Sequence, residues 1–314
     1  MALIVAGPTA SGKSALALAL AERLHGTIIN ADAMQVYQEL RVVTARPTPA
    51  DEARVPHTLY GVRRAAEPGS VAWWREAALA EMDRAREAGR VPILTGGSGL
   101  YLTALTDGLA DIPEPGPAAR TEARTLLKEL GPAALHTRLA EADPATAARL
   151  RPTDSQRIAR AWEVWVGTGA GLAAWQARAA SPARWRFAAI LLDPPRADLR
   201  RAISARFAAM LNAGAIDEVR TLLALRLDPA LPAMRAHGVP ELAAYLRGDL
   251  NLETATRRIE LVTGQYTKRQ ATWFHHHNLA EPSRSHTISA RIAEPEQFLE
   301  RNYAQTLAFI ESTT

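Results

Sequence analysis

An α/β fold, with a parallel sheet flanked by helices and a helical insertion, is predicted by three features of the sequence. Short, mainly apolar runs of strand length recur at residues 2–6, 91–95 and 186–192, each ending in Gly or Asp. Helix-length segments at 12–24 and 70–88 lie between the first two. Strands this apolar are buried on both faces, and their alternation with helices implies a parallel sheet covered on both sides. The third feature is a break: residues 118–167 read as helix after helix, with no strand among them.

Taken in order, the strand at 2–6 runs into Gly7-Pro8-Thr9-Ala10-Ser11-Gly12-Lys13-Ser14, where an alanine-leucine helix opens. This is the full P-loop spacing between a strand and a helix, so the sheet core is of P-loop type. Backbone N–H groups of such a loop, aided by the helix dipole, cradle phosphate oxygens. Lys13 adds a point charge, and the Ser14 hydroxyl is a candidate Mg²⁺ ligand. Most P-loop NTPases add a strand that ends in Asp to hold the metal. Here the strand at 91–95 ends in Gly96-Gly97-Ser98-Gly99 instead, and Asp193, after 186–192, precedes two prolines and reads as a turn residue. The loop is therefore specific for phosphate, while ATP as its occupant is weakened.

A second strand at 27–30 ends at Ala31-Asp32. Ligands of parallel sheets bind beyond the carboxyl ends of the strands, so residues 7–14, Asp32 and 96–99 are expected to converge. An acid in that place suits a general base, and equally a helix N-cap. Gln35 and Tyr37 are candidates to read or stack a nucleobase. A helix follows at 70–88, stopped by Gly89.

Residues 111–117 hold three prolines and mark a boundary. The expected division is a core of 1–113 and 185–314, with an insertion of 114–184. Its helices are placed at 118–130, 132–141, 144–150 and 154–167. On the last, Ile158, Ala161, Trp162 and Trp165 share a core face, with Arg157 and Arg160 on its flank. Beyond 192 helices dominate. Arg257-Arg258 and Lys268-Arg269 are 11 residues apart, about three helical turns, and share a face. His275, His276 and His277 are consecutive, point three ways on a helix, and read as surface rather than a metal cluster.

Composition narrows the class. With 47% hydrophobic and 22% charged residues among 314, the chain is an ordinary globular one. No apolar run approaches the roughly 18 residues of a spanning helix. The first strand begins at Ala2, leaving no room for a leader, and the chain has no cysteine. A cytoplasmic protein without disulfides or thiolate zinc is expected. Residues 116–201 carry 14 Lys and Arg against 8 Asp and Glu, which accounts for the whole net charge of +4. A basic stretch of this kind suits an anionic polymer.

Seven stretches in fixed order resemble the bacterial tRNA dimethylallyltransferase (tRNA isopentenyltransferase) family. They are GPTASGKS, DAMQVY at 32–37, TARP at 44–47, GGSGLY at 96–101, DSQR at 154–157, RFxxML at 206–211 and YTKRQATWF at 266–274. The resemblance implies transfer of a dimethylallyl group from dimethylallyl diphosphate to N6 of the adenosine 3′ of a tRNA anticodon. It implies Asp32, Arg206, Lys13 and Ser98 as catalytic residues, and Gly7, Pro8, Thr9, Ala10, Ser11, Gly12, Lys13 and Ser14 as the diphosphate loop, with Mg²⁺ on Ser14. It implies tRNA contacts by Asp32, Ala33, Met34, Gln35, Ser98, Arg120, Gln156, Arg157, Ile158, Ala159, Arg160, Lys268 and Arg269. The implied partners are the anticodon stem-loop and dimethylallyl diphosphate, with no membrane and a monomeric enzyme. Ser98, Arg46 and Ala33 stand where the family usually has Thr, Lys and Ser, and Gly238-Val239-Pro240 replaces Gly-Tyr-Lys/Arg. Two other classes fit parts of the pattern: a P-loop small-molecule kinase, and a non-catalytic RNA-binding protein that keeps the loop.

Overall fold

The computed structural model of the chain describes residues 1–178, 180–293 and 308–309. They form two compact units, one of Met1–Thr106 with Ala183–Thr314 and one of Asp107–Pro182. Along the chain the first unit contributes β1 (Ala2–Ala6), α1 (Lys13–Arg23), β2 (Gly26–Asn30), α2 (Pro49–Arg54), β3 (His57–Thr58), α3 (Val71–Glu87), β4 (Val91–Gly96) and α4 (Gly99–Thr106). The second unit holds α5 (Gly116–Ala142), α6 (Pro144–Ala147), α7 (Ser155–Thr168) and α8 (Leu172–Gln176). The first then resumes with β5 (Phe187–Leu192), α9 (Arg196–Asn212), α10 (Ala215–Ala224), α11 (Val239–Leu246), α12 (Leu252–His275) and β6 (Ser285–Ile288).

Six strands form one parallel sheet in the order β3-β2-β4-β1-β5-β6. In central β1, Leu3 pairs with Ile93 of β4 and Ala188 of β5, and every residue is buried. Because side chains alternate along a strand, the two faces divide cleanly. Leu3 and Val5 pack with Ile28, Ile93 and the α1 residues Leu16 and Leu20, whereas Ile4 packs with Ile29, Leu94, Trp74, Met82 and Leu102 on the other face. This double cover makes the strands read as continuous apolar runs. All strands run the same way, so their carboxyl ends, and the turns that follow, share one edge.

Two edge strands and α2 go beyond the sequence reading. β3 is two residues long and β6 is half exposed, so neither carries an apolar period. Helix α2 is announced by chemistry rather than periodicity, with a reciprocal capping box between Thr48 and Asp51 and Pro49 in its first turn. In the second unit α5 is interrupted at Gly131, whose φ of 75° separates the two helices read there. Leu135, Leu139, Ala147, Ile158 and Ala161 form that unit's core. Trp162 and Trp165 are only half-buried, and the Trp162 indole N–H donates to Glu122 at 3.0 Å. No helix among the described residues is long and apolar enough to cross a membrane.

Candidate active site

The phosphate loop turns sharply out of β1 and is held from several sides. Ser11 N–H donates to the Pro8 carbonyl at 3.2 Å, and Lys13 Nζ folds back to the same carbonyl at 3.3 Å. The chain beyond β6 lies against the loop, with Ile292 N–H donating to Ser11 O at 3.0 Å and Arg291 Nε to Ala10 O at 3.1 Å. Gly12 has φ of 94°, and a Cβ there would sit 2.0 Å from the Ile292 carbonyl oxygen, so only glycine fits. Lys13 is half-buried and Ser14 is exposed at the first turn of α1. The Ser11 hydroxyl is buried and has no hydrogen-bond partner among the described residues. Thr9 N–H is committed elsewhere: it donates to Gln270 Oε1 of α12 at 2.9 Å.

Asp32 stands one turn beyond β2, and buried Asn30 fixes its backbone. Asn30 Oδ1 accepts Asp32 N–H at 2.9 Å, and its Nδ2 donates to the Asp32 and Leu59 carbonyls, both at 3.0 Å. The Trp74 indole N–H donates to Asn30 O at 2.7 Å. Asp32 Oδ1 accepts Met34 N–H at 2.9 Å, which closes a non-helical turn; no helix starts here, so the acid is not the helix N-cap that was the other expectation, and Oδ2 has no donor among the described residues. Ser98, in the turn after β4, accepts Ala33 N–H on its Oγ at 3.0 Å and donates its own N–H to Ala31 O at 3.2 Å. The turns at 31–33 and 98 thus meet directly through hydrogen bonds, and the loop joins them through Gln270, whose Nε2 donates to Gly97 O at 2.9 Å.

Two cations share the cleft with this carboxylate. Burial brings the Lys13 ammonium down to about 8; the Asp32 charge opposes that shift and the Arg206 charge adds to it. Burial also lowers Arg206, again against the pull of Asp32. The Arg206 Nη2 donates to the Thr44 carbonyl at 3.3 Å. That segment is anchored in turn by Gln35, whose Nε2 donates to Thr44 O at 2.9 Å and Ala45 O at 3.0 Å. The Glu218 carboxylate of α10 takes the N–H groups of Arg41, Val42 and Val43 at 2.7–2.8 Å. Tyr60 and Tyr266 are pushed upward by burial and then by the Asp32 charge, so both stay neutral phenols.

Some sequence candidates take other places. Tyr37 is not available to stack a base: it is buried in the core, and its hydroxyl accepts Gly69 N–H at 3.1 Å. Gln35 spends both amide hydrogens on the 44–45 backbone. Ile158 is fully buried in the core of its own unit, so its side chain offers nothing to RNA. Its neighbours do reach solvent: Gln156 and Arg157 are exposed, and Ala159, Arg160 and Arg120 are half-exposed. Glu163 Oε1 lies 2.8 Å from Arg160 Nη1 and 3.4 Å from Arg120 Nε, pairing both guanidiniums. In the first unit Lys268 and Arg269 are exposed, with Arg269 over the Tyr266 ring. Asp193 pairs with His275 at 3.2 Å, His277 stacks on Trp273, and no group of three or more His, Cys, Asp or Glu able to hold a metal exists among the described residues. Asn30, Glu218 and Gln270 were missed. For Gln270 the signal was available, since a polar residue on the inward face of an amphipathic helix needs buried partners.

The IPP transferase family model matches residues 35–277. The chain belongs to the IPP transferase family. The loop at 7–14 and Asp32 precede that span and are covered by full-length likenesses. The tRNA dimethylallyltransferase of Granulibacter bethesdensis is 61% identical over 99% of this chain and 98% of its own length. That of Gluconacetobacter diazotrophicus is 63% identical over 98% of this chain and 93% of its own. Among solved structures, the tRNA isopentenylpyrophosphate transferase of Bacillus halodurans has a TM-score of 0.69 at 29% identity, covering 99% of this chain and 97% of that one. A eukaryotic dimethylallyltransferase acting on tRNA superposes with a TM-score of 0.80, covering 100% of this chain and 80% of that one, and at 22% identity it shows the shared fold alone.

Proposed function

We propose that this IPP transferase moves a dimethylallyl group from dimethylallyl diphosphate to N6 of the adenosine 3′-adjacent to the anticodon of tRNA, releasing diphosphate. The observation that carries the reading is the cleft itself. A main-chain phosphate loop with Lys13 shares it with the Arg206 guanidinium and the Asp32 carboxylate. The N6 lone pair is delocalised into the purine, so the amine attacks only as its proton is drawn off. Asp32 Oδ2 accepts that proton while N6 bonds to C1 of the allyl group. The C1–O bond breaks and its electron pair leaves with the diphosphate, where loop N–H groups, Lys13 and Arg206 meet the growing charge. No phosphoryl group moves.

Mg²⁺ fits the donor present. The exposed Ser14 hydroxyl is a hard oxygen ligand, and Mg²⁺ on a diphosphate needs few protein groups. When bound there it would neutralise leaving-group charge. Exposed Lys268 and Arg269 in the first unit offer one cationic patch to the anticodon stem-loop, and Arg120, Gln156, Arg157 and Arg160 in the second unit offer a patch of their own. Extruding the adenosine costs a few kcal/mol, which such contacts offset. The reading includes a cytoplasmic, monomeric enzyme. The deciding experiment offers unmodified tRNA with carbon-labelled dimethylallyl diphosphate and, separately, ATP labelled at the γ-phosphate. Label is expected in RNA from the first only. Phosphoryl transfer from ATP, or RNA binding with neither transfer, would replace this reading by the kinase or the non-catalytic one.

A pH dependence follows from Lys13. Its ammonium is full below about pH 8 in the free protein and is lost as pH rises through that value. Diphosphate affinity, measured by calorimetry in EDTA so that no metal contributes, is expected to be flat at pH 6.5–7.5 and to weaken through pH 8–9. In Lys13→Met the weakening should vanish; its persistence would place the titrating group elsewhere.

A further inference from the structure

The strongest feature outside the reacting groups is the carboxamide of Gln270, and we infer that it is a positioning residue which sets the gap between the diphosphate loop and the acceptor turn. Gln270 is buried on the inner face of α12. Its Oε1 accepts the Thr9 N–H of the loop, and its Nε2 donates to the Gly97 carbonyl in the turn after β4, each at 2.9 Å. Tyr266 lies one turn earlier on the same helix, beside the exposed Arg269. The next residue after Gly97 is Ser98, which holds Ala33 N–H and hence the turn carrying Asp32. A continuous chain of hydrogen bonds therefore runs from the leaving-group loop through one side chain to the segment that carries the base.

Only Gln does this. Its amide offers an acceptor on one side and a donor on the other, and the two backbones it joins present the complementary groups. A carboxylate keeps the acceptor and sets oxygen against the Gly97 oxygen. A shorter Asn does not span. Gly97 is part of the same fit, because a Cβ there would lie 2.2 Å from Gln270 Nε2. The bond also occupies Thr9 N–H, so that amide orients the loop rather than holding the diphosphate. Near-attack alignment is steep in distance, and a displacement of about 1 Å between the reacting centres costs on the order of 10²-fold.

The inference rests on the transferase reading, which the wild-type label transfer tests by itself. For Gln270, the isosteric Gln270→Met and the acceptor-only Gln270→Glu are compared with wild type in three measurements. These are turnover with both substrates saturating, separate affinities for dimethylallyl diphosphate and for the stem-loop, and thermal midpoint. Turnover is expected to fall at least 30-fold in both variants, with each affinity within about fivefold and the protein folded at assay temperature. Turnover within threefold of wild type overturns the inference, and so does a loss that merely follows the affinities or the folded fraction. Gly97→Ala supplies an independent arm. It should depress turnover by displacing the amide, and combining it with Gln270→Met should add little further loss, because both act on one contact. Additive losses would show that Gly97 and Gln270 act separately, against the inference.

Discussion

Asp32→Asn is expected to lower turnover by about 10²–10⁴-fold, the range over which a positioned general base contributes, while the stem-loop still binds. The substitution is chosen for what it retains. Asn keeps an oxygen to accept Met34 N–H, so the turn that Asp32 closes persists, and the Asn30 and Ser98 bonds to neighbouring backbone are untouched. What it removes is the proton acceptor and one negative charge. That charge opposes the burial effect on both Lys13 and Arg206 and repels a bound anion. Its loss lets the Lys13 ammonium fall further, so the affinity is compared at about pH 6, where the lysine keeps its proton; with the repulsion gone, diphosphate affinity in the variant should there equal or exceed that of wild type. The combination is diagnostic: turnover collapses while neither substrate is lost. Asp32→Ala should be equally inactive and less stable, since it also loses the turn hydrogen bond from Met34 N–H, a net cost of about 1 kcal/mol. Turnover of Asp32→Asn within tenfold of wild type would mean that another group takes the proton.

Lys13→Met is expected to reduce turnover by about 10²–10³, the loss typical of removing one preorganised donor from a developing oxyanion. Here the affinity for dimethylallyl diphosphate should fall too, because the ammonium meets charge already on the ground-state diphosphate as well as charge that grows on it. Arg at this position should rescue poorly. The Lys13 ammonium reaches back to the Pro8 carbonyl within a tight loop, and a planar guanidinium needs more width than a point charge. The two variants separate the halves of the reaction: loss at residue 13 appears in both affinity and rate, loss at residue 32 in rate alone. Unchanged affinity in Lys13→Met would remove the lysine from the anion site.

How much of this was legible in the sequence differs by level. β1, β2, β4 and β5 were readable to within a residue because double burial makes them mainly apolar, and the loop at 7–14 because its glycines and lysine answer to one geometry. β3 and β6 were invisible, being short or half exposed. In the site, reactive groups were easier to see than their supports. Asp32, Lys13 and Arg206 belong to residue types and motifs that announce charge. Asn30, Glu218 and Gln270 do their part by hydrogen-bonding backbone from afar: Gln270 meets a residue 261 positions away, and no local pattern encodes such a partner. Tyr37 and Ile158 went the other way. Each sits in a motif beside functional residues, yet motif adjacency does not distinguish a side chain that faces a ligand from one that fills the core behind it.

The contact of residues 291 and 292 with the phosphate loop has a consequence for biosynthesis. Ala10 and its partner Arg291 are 281 positions apart, and at ribosomal rates of about 5–20 residues per second that separation is roughly 15 s to 1 min. The first functional motif made is thus among the last to reach its final form. Until residues 291 and 292 arrive, the carbonyls of Ala10 and Ser11 lack the donors that those residues supply. The nascent loop therefore stays unbraced on that side until residues 291 and 292 have left the ribosome.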